Sequence, residues 1–177
     1  MSHLIPPLGP RDHVEGPADA RITLVEYGDF ECPHCGYAYP IVKEVQRALA
    51  GTLLFAYRHF PLNRIHEHAE HAAEIAEAAG EHNGKFWQMH DVLFEHQDAL
   101  DDPQLIAHAA ALGVDPKWAA AALLEGRFRS KVREDFESGV RSGVNGTPTF
   151  FINGVRFEGG PDSLLETLME ATMDAPH

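Results

Sequence analysis

The pattern of apolar and polar positions divides the chain into two β-rich ends and a helical middle. Ile22-Thr-Leu-Val-Glu-Tyr27 is short, apolar and β-branched, and predicts a strand. Ala38, Ile41, Val42, Val45 and Leu49 then recur at helical spacing. They predict a helix from Pro33 to about Ala50, ended by Gly51. Pro40 falls inside it, where a proline removes one hydrogen bond and kinks the helix. Thr52-Leu-Leu-Phe-Ala-Tyr-Arg-His59 reads as a second strand. Strand, helix and strand in this span imply a parallel pair joined by a right-handed crossover.

From residue 62 to about 145 the helical period takes over. Ala69, Ala72, Ala73, Ala76 and Ala79 form a slim stripe, and Phe86, Trp87, Leu93 and Phe94 a bulkier one after Gly84. Asp102-Pro103 and Asp115-Pro116 start two further helices, which Gly113 and Gly126 stop. Phe128, Val132, Phe136 and Val140 mark a last one over about 127–141. The β pattern returns at Gly146-Thr-Pro-Thr-Phe-Phe-Ile152, and Asn153-Gly154 is a strong hairpin signal before Val155-Arg-Phe-Glu158. A terminal amphipathic helix carries Leu164, Leu165, Leu168 and Met169. The expected class is α/β, with residues 1–61 and 146–177 as two halves of one domain and 62–145 as an inserted helical subdomain. Residues 1–20, with four prolines and two glycines, read as an extended lead-in.

Composition changes little in that picture, since 44% hydrophobic residues in 177 suit an ordinary globular core. The net charge of −13 changes more. It argues against nucleic acid, which needs a basic footprint, and against anionic membrane surfaces. No apolar run approaches the roughly 20 residues of a spanning helix, so no membrane insertion is expected. The first ten residues have neither a basic nor an apolar leader region. With Met1 as the native start the expectation is a cytoplasmic protein, and with a leader removed, an exported, periplasmic one.

The chemistry concentrates at Phe30-Glu31-Cys32-Pro33-His34-Cys35-Gly36, which holds both cysteines of the chain. The pair falls where a strand feeds a helix, with Cys32 near the N-cap and Pro33 at the first helical position. Free N–H groups and the helix dipole there favour a thiolate on Cys32, the form that attacks disulfides. A zinc site would need four ligands, and no second Cys-x-x-Cys supplies them, so no metal is expected. A structural disulfide over so short a loop would remove little chain entropy. The reading is thiol–disulfide exchange, with Cys32 exposed as nucleophile and Cys35 one turn in as the resolving thiol. His34 can stabilise the thiolate, while Asp29 and Glu31 act against it. Glu26 is either a solvent-facing residue of an alternating strand or a partly buried acid that exchanges a proton with Cys35. His66, His68 and His71, interleaved with Glu67 and Glu70, read as a solvated face, and His90 as a hydrogen-bonded, partly buried core residue.

The order of elements, Val25-Glu-Tyr-Gly-Asp-Phe-Glu-Cys-Pro-His-Cys35, the run from Gly84 to His90, and Gly146-Thr-Pro-Thr-Phe-Phe-Ile-Asn-Gly154 together resemble the DsbA-like family. That is a thioredoxin fold with a helical insertion, and the resemblance covers nearly the whole chain. It implies a thiol–disulfide oxidoreductase that exchanges disulfides with protein or peptide thiols through Cys32-Pro-His-Cys35, as an oxidase or isomerase. Two alternatives of other classes are a kappa-type glutathione-dependent isomerase or transferase, and a non-catalytic peptide-binding or chaperone module. The complete cysteine pair disfavours the kappa type, which usually has serine at the position of Cys32. The resemblance further implies a cis Thr147–Pro148 peptide facing the cysteines and the substrate, with Thr147 standing where DsbA has valine. Its cofactor would be the redox-active Cys32–Cys35 disulfide alone. Its partners would be thiol- or disulfide-bearing proteins and a redox partner protein.

Overall fold

The computed structural model describes residues 1–174. Five strands form one mixed sheet: β1 (His13–Glu15), β2 (Ile22–Gly28), β3 (Leu53–His59), β4 (Thr149–Ile152) and β5 (Val155–Phe157), in the order β1-β3-β2-β4-β5. β2 and β3 are parallel, as the strand–helix–strand pattern requires, and the other neighbours are antiparallel. The connecting helix α1 (Pro33–Ala48) contains Pro40 and continues through it. Five helices lie between β3 and β4: α2 (Ala69–Asn83), α3 (Phe86–Glu95), α4 (Asp102–Ala111), α5 (Pro116–Glu125) and α6 (Arg129–Arg141). After a 3-10 turn at Pro161–Ser163 the last described element is α7 (Leu164–Asp174).

Local chemistry sets several of these boundaries. Asp101 and Asp115 cap α4 and α5, each accepting a backbone N–H from three residues ahead. Gly84 and Gly126 end α2 and α5 in the left-handed region, where a side chain would be strained. At the hairpin, Asn153 (φ 48°) and Gly154 (φ 78°) both take positive φ, as a tight primed turn demands.

The sheet is covered on both faces. Ile22, Leu24, Phe55, Tyr57 and Phe150 share one apolar cluster with both cysteines and with residues of α1, α2, α3 and α7. Val25, Tyr27, Ala56, Phe60 and Phe151 form a second on the opposite face, with Phe136 of α6 packed against it. A central strand in that position has no solvent face, which removes the alternation argument for Glu26. Glu26 falls on the same side as Ile22 and Leu24 and is 2% exposed. In α7, Leu164 and Leu168 are buried, whereas Met169, expected on the same apolar stripe, is half exposed.

The lead-in is more structured than its composition suggests. β1 adds an antiparallel edge to β3, and Leu4 is buried in the second cluster. Ile5–Pro6 is cis. Arg58 of β3, buried, uses all five of its N–H donors, four of them to hold this segment and one on β2. It bonds Asp12 at 2.8 and 3.0 Å, the carbonyls of Pro6 and Pro7 at 3.1 and 3.2 Å, and the Tyr27 hydroxyl at 2.9 Å. Removing it leaves a buried carboxylate without its counter-charge. Arg58→Ala should therefore cost about 3–5 kcal/mol of stability. Urea unfolding followed by circular dichroism measures this, and a change below about 1 kcal/mol would mean that the lead-in contributes little.

Candidate active site

Cys32 is the N-cap of α1, with extended backbone (φ −70°, ψ 121°), and Pro33 occupies the first turn, where its missing N–H has no partner to lose. Asp29 shapes the approach. Its carbonyl accepts the Cys32 N–H at 3.1 Å, and its carboxylate accepts the Glu31 N–H at 2.8 Å, an Asx turn. Opposite stands the cis Thr147–Pro148 peptide. The Thr147 carbonyl lies 3.6 Å from Cys32 Sγ, which donates to it when protonated. Residues at sequence positions 26, 32, 33, 35 and 147 thus converge at one end of the sheet, with Pro148 adjoining.

The expected exposure of Cys32 does not hold: it is 3% exposed and Cys35 is fully buried. Residues of the Thr147–Pro148 loop close over the helix start, so the two sulfurs differ in electrostatics more than in access. The Cys32 thiol is lowered to about 5. Hydrogen bonding from the Cys35 thiol is the largest favourable cause, joined by the Thr147 side chain and the backbone N–H groups of Cys35 and His34, and opposed by burial. Cys35 moves the opposite way, raised by burial first, then by its bond to Cys32 and the nearby Glu26 charge. Both thiols are free, so this is the reduced pair.

Glu26 lies within the electrostatic reach of both sulfurs. Burial raises its pKa to about 8, with the Cys32 charge adding to the effect. Its Oε1 has no hydrogen-bond partner, and neither has the hydroxyl of Tyr57, its register partner on β3. His34 differs from expectation in how it acts. Its ring is exposed, and what bears on the thiolate is its backbone N–H.

Three features of the site were not anticipated. Gln97, in the loop after α3, donates from Nε2 to the carbonyls of both Phe30 and Cys32 at 2.9 Å. A Cβ on Gly36 would overlap its amide, which explains glycine after the motif. The Asp29 carboxylate, expected to oppose the thiolate, is buried and bound by three donors: Glu31 N–H, Leu62 N–H and His66 Nδ1. His66 consequently is not on a solvated face; its ring faces Asp29 at 2.7 Å and is drawn upward in pKa by that carboxylate against the effect of burial. His68 and His71 are partly exposed, and Glu31 accepts the His68 N–H at 2.7 Å. His90 is hydrogen-bonded as expected, to Asp91, but fully within the aromatic cluster of Phe30, Tyr57 and Phe94. Only the Asp in the Asp-x-x-Cys turn carried a local signal.

Away from the thiols, His59, Glu77 and Asp135 bring three potential metal-ligand atoms within 4.8 Å. Protein donors already occupy them. Glu77 Oε1 faces His13 and His59 Nε2 at 2.8 Å each, and Asp135 binds Lys131 at 2.6 Å. This is an ion network between α2, α6 and the sheet.

Comparison with known proteins agrees with this geometry. The thioredoxin family model matches residues 9–170. Among solved structures the chain resembles BdbD of Bacillus subtilis, with 24% identity, a TM-score of 0.80, and 92% and 91% of the two chains covered. It also resembles DsbA2 of Pseudomonas aeruginosa, with 26% identity, a TM-score of 0.68, and 97% and 100% covered. A Salinispora arenicola protein named Na(+)/H(+) antiporter NhaA 1 is 43% identical over 173 residues, 97% of this chain. The chain spans only 26% of that relative's length. The chain belongs to the thioredoxin family, and its fold is the one shared by these DsbA-type structures.

Two outcomes test the electrostatics. Thiolate absorbance of the reduced protein should titrate near pH 5 from Cys32, the value its surroundings set. Gln97→Ala should raise that midpoint by up to about one unit, equivalent to 1.36 kcal/mol, because the helix N-terminus loses its clamp. Arg58→Ala, destabilising but distant, should leave it unchanged. Glu26 gives the second. An acid with a higher pKa folded than unfolded keeps its proton longer in the folded state, so stability falls as pH rises from about 4.5 to about 8. Glu26→Gln should abolish that decline, on the order of a few kcal/mol, in urea titrations across this range.

Proposed function

We propose that the protein oxidises or rearranges the thiols of other proteins through a Cys32–Cys35 disulfide that needs no further cofactor. The observation that carries this reading is the opposite displacement of the two thiols, Cys32 downward and Cys35 upward, at the start of one helix. A substrate thiolate attacks Cys32 Sγ of the disulfide. The S–S bond breaks, and Cys35 leaves as a thiolate that takes the Glu26 proton. A second substrate thiolate attacks its own sulfur in the mixed disulfide and expels Cys32, which leaves readily because its thiolate is stable. The substrate dithiol becomes a disulfide and the protein becomes a dithiol. Pro33 holds the turn, His34 supplies its backbone N–H, and Thr147 with Pro148 faces the incoming chain.

Thiolate stabilisation favours the reduced form and so makes the disulfide the stronger oxidant. A potential between those of thioredoxin and DsbA follows, within roughly −270 to −120 mV. Such a couple acts as an oxidase only where a partner reoxidises it, which an oxidising compartment provides. Sodium–proton exchange, named for the longer relatives, is not assigned to this chain, whose described helices include none long and apolar enough to cross a membrane.

Equilibration with glutathione buffers should place the potential inside that window, and His34→Ser, which keeps the backbone N–H, should shift it little. Cys35→Ser should accumulate mixed disulfides with a reduced protein substrate, and Cys32→Ser should not. A wild-type potential at or below that of thioredoxin would reverse the direction assigned here.

A further inference from the structure

A groove with a cavity volume of about 510 Å³ lies between the β3–α2 loop and α6. Leu62, Ile65, Val132 and Phe136 line it, and Arg64 and Arg133 stand at its rim. Ile65 is 73% exposed, an unusual position for a large aliphatic side chain beside a groove. Both walls connect to the redox site, one by hydrogen bonds and the other along the chain. The loop wall is pinned to the segment just before Cys32, because Asp29 accepts from Leu62 N–H and His66, and Glu31 accepts from His68 N–H. The α6 wall ends at Arg141, six residues before Thr147.

Charge says what the groove fits. The protein carries a net −13, yet the uncommitted charges here are cationic. Arg64 and Arg133 are both exposed and have no ion-pair partner among the described residues. Glu70, the acid at the rim, is engaged by Asn63 at 3.3 Å and by Arg129 at 3.9 Å. We infer that this groove receives a segment of the substrate protein, flanking its reacting cysteine, that carries an apolar side chain beside a carboxylate. The apolar side chain covers Ile65 and Phe136, and the carboxylate meets the two guanidinium groups. Charges at a rim of this kind select partners and speed encounter more than they add affinity. The inference rests on the exchange reading above and gives it a substrate class.

The test compares two synthetic cysteine-pair peptides that differ only in flanking residues, Leu-Glu in one and Leu-Lys in the other. Their oxidation by the disulfide form is followed with dithiothreitol as a small dithiol without flanks. Wild type should oxidise the Leu-Glu peptide roughly tenfold faster than the Leu-Lys peptide, with the difference shrinking at high salt. The double variant Arg64→Glu/Arg133→Glu should reverse the order and leave the dithiothreitol rate unchanged. Ile65→Ser, at an exposed position, should slow both peptides and not dithiothreitol. Equal peptide rates in wild type, or variants that slow dithiothreitol equally, would overturn the groove assignment while leaving the exchange reading intact. Failure to oxidise dithiothreitol at all would instead remove the exchange reading. A concentration-dependent dimer that Ile65→Ser abolishes in sedimentation would assign the groove to a second copy of the chain and overturn the proposal.

Discussion

One sulfur must be held charged, and its neighbour three positions on held neutral, in surroundings that exclude most water. Burial alone would push both thiols up. Cys32 escapes because donors converge on it from α1, from Thr147 and from Cys35 itself, whereas Cys35 has the desolvation without enough compensation. The difference is therefore geometric. It exists only while the helix start, the Thr147–Pro148 peptide and the sheet beneath keep one arrangement, and the rest of the fold serves that arrangement.

The buried acids divide along the same line. Asp29 and Glu77 are buried but enclosed by donors, and they act as ties between elements. Glu77 is held far below the ordinary carboxylate range by its two histidines despite burial. Glu26 has the same burial without such donors at Oε1, and its proton is retained toward neutral pH. Glu74 shares part of that condition, but Arg129 stands 3.5 Å from it and no thiol shares its surroundings. Burial without donors, next to a group that must gain and lose a proton, separates Glu26 from the structural acids.

What could be read from the sequence was what is decided locally. The strand-to-helix junction at Cys32, the aspartate caps, the Asn153–Gly154 turn and the central parallel pair all follow from residues close in sequence. The errors arise where distant residues meet. His66 pairs with Asp29 across 37 positions and Gln97 with Cys32 across 65, and neither has a periodic signature. Cys32 was expected to be open because its covering comes from a loop 115 positions away. β1 is too short for a period, and its pairing with β3 depends on Arg58 gathering a proline-rich segment that reads as irregular. Met169 lies on an apolar stripe wider than the face that the sheet covers.

The residues between β3 and β4 do more than add bulk beside the sheet. Gln97 holds two carbonyls at the start of α1 from one side, while His66 and the His68 backbone N–H hold Asp29 and Glu31 from the other. The segment from Asp29 to Cys32 is thus fastened twice to a part of the chain that contributes no reacting atom. A loop bearing a thiolate at a helix N-terminus would otherwise be free to turn its N–H groups toward water, and the thiolate would lose its advantage over the thiol. With both fastenings in place, a shift of the helical residues changes the donors around Cys32 directly. The setting of the Cys32 sulfur is consequently a property of the sheet and of the helices between β3 and β4 together, and it cannot be assigned to the four residues of the motif alone.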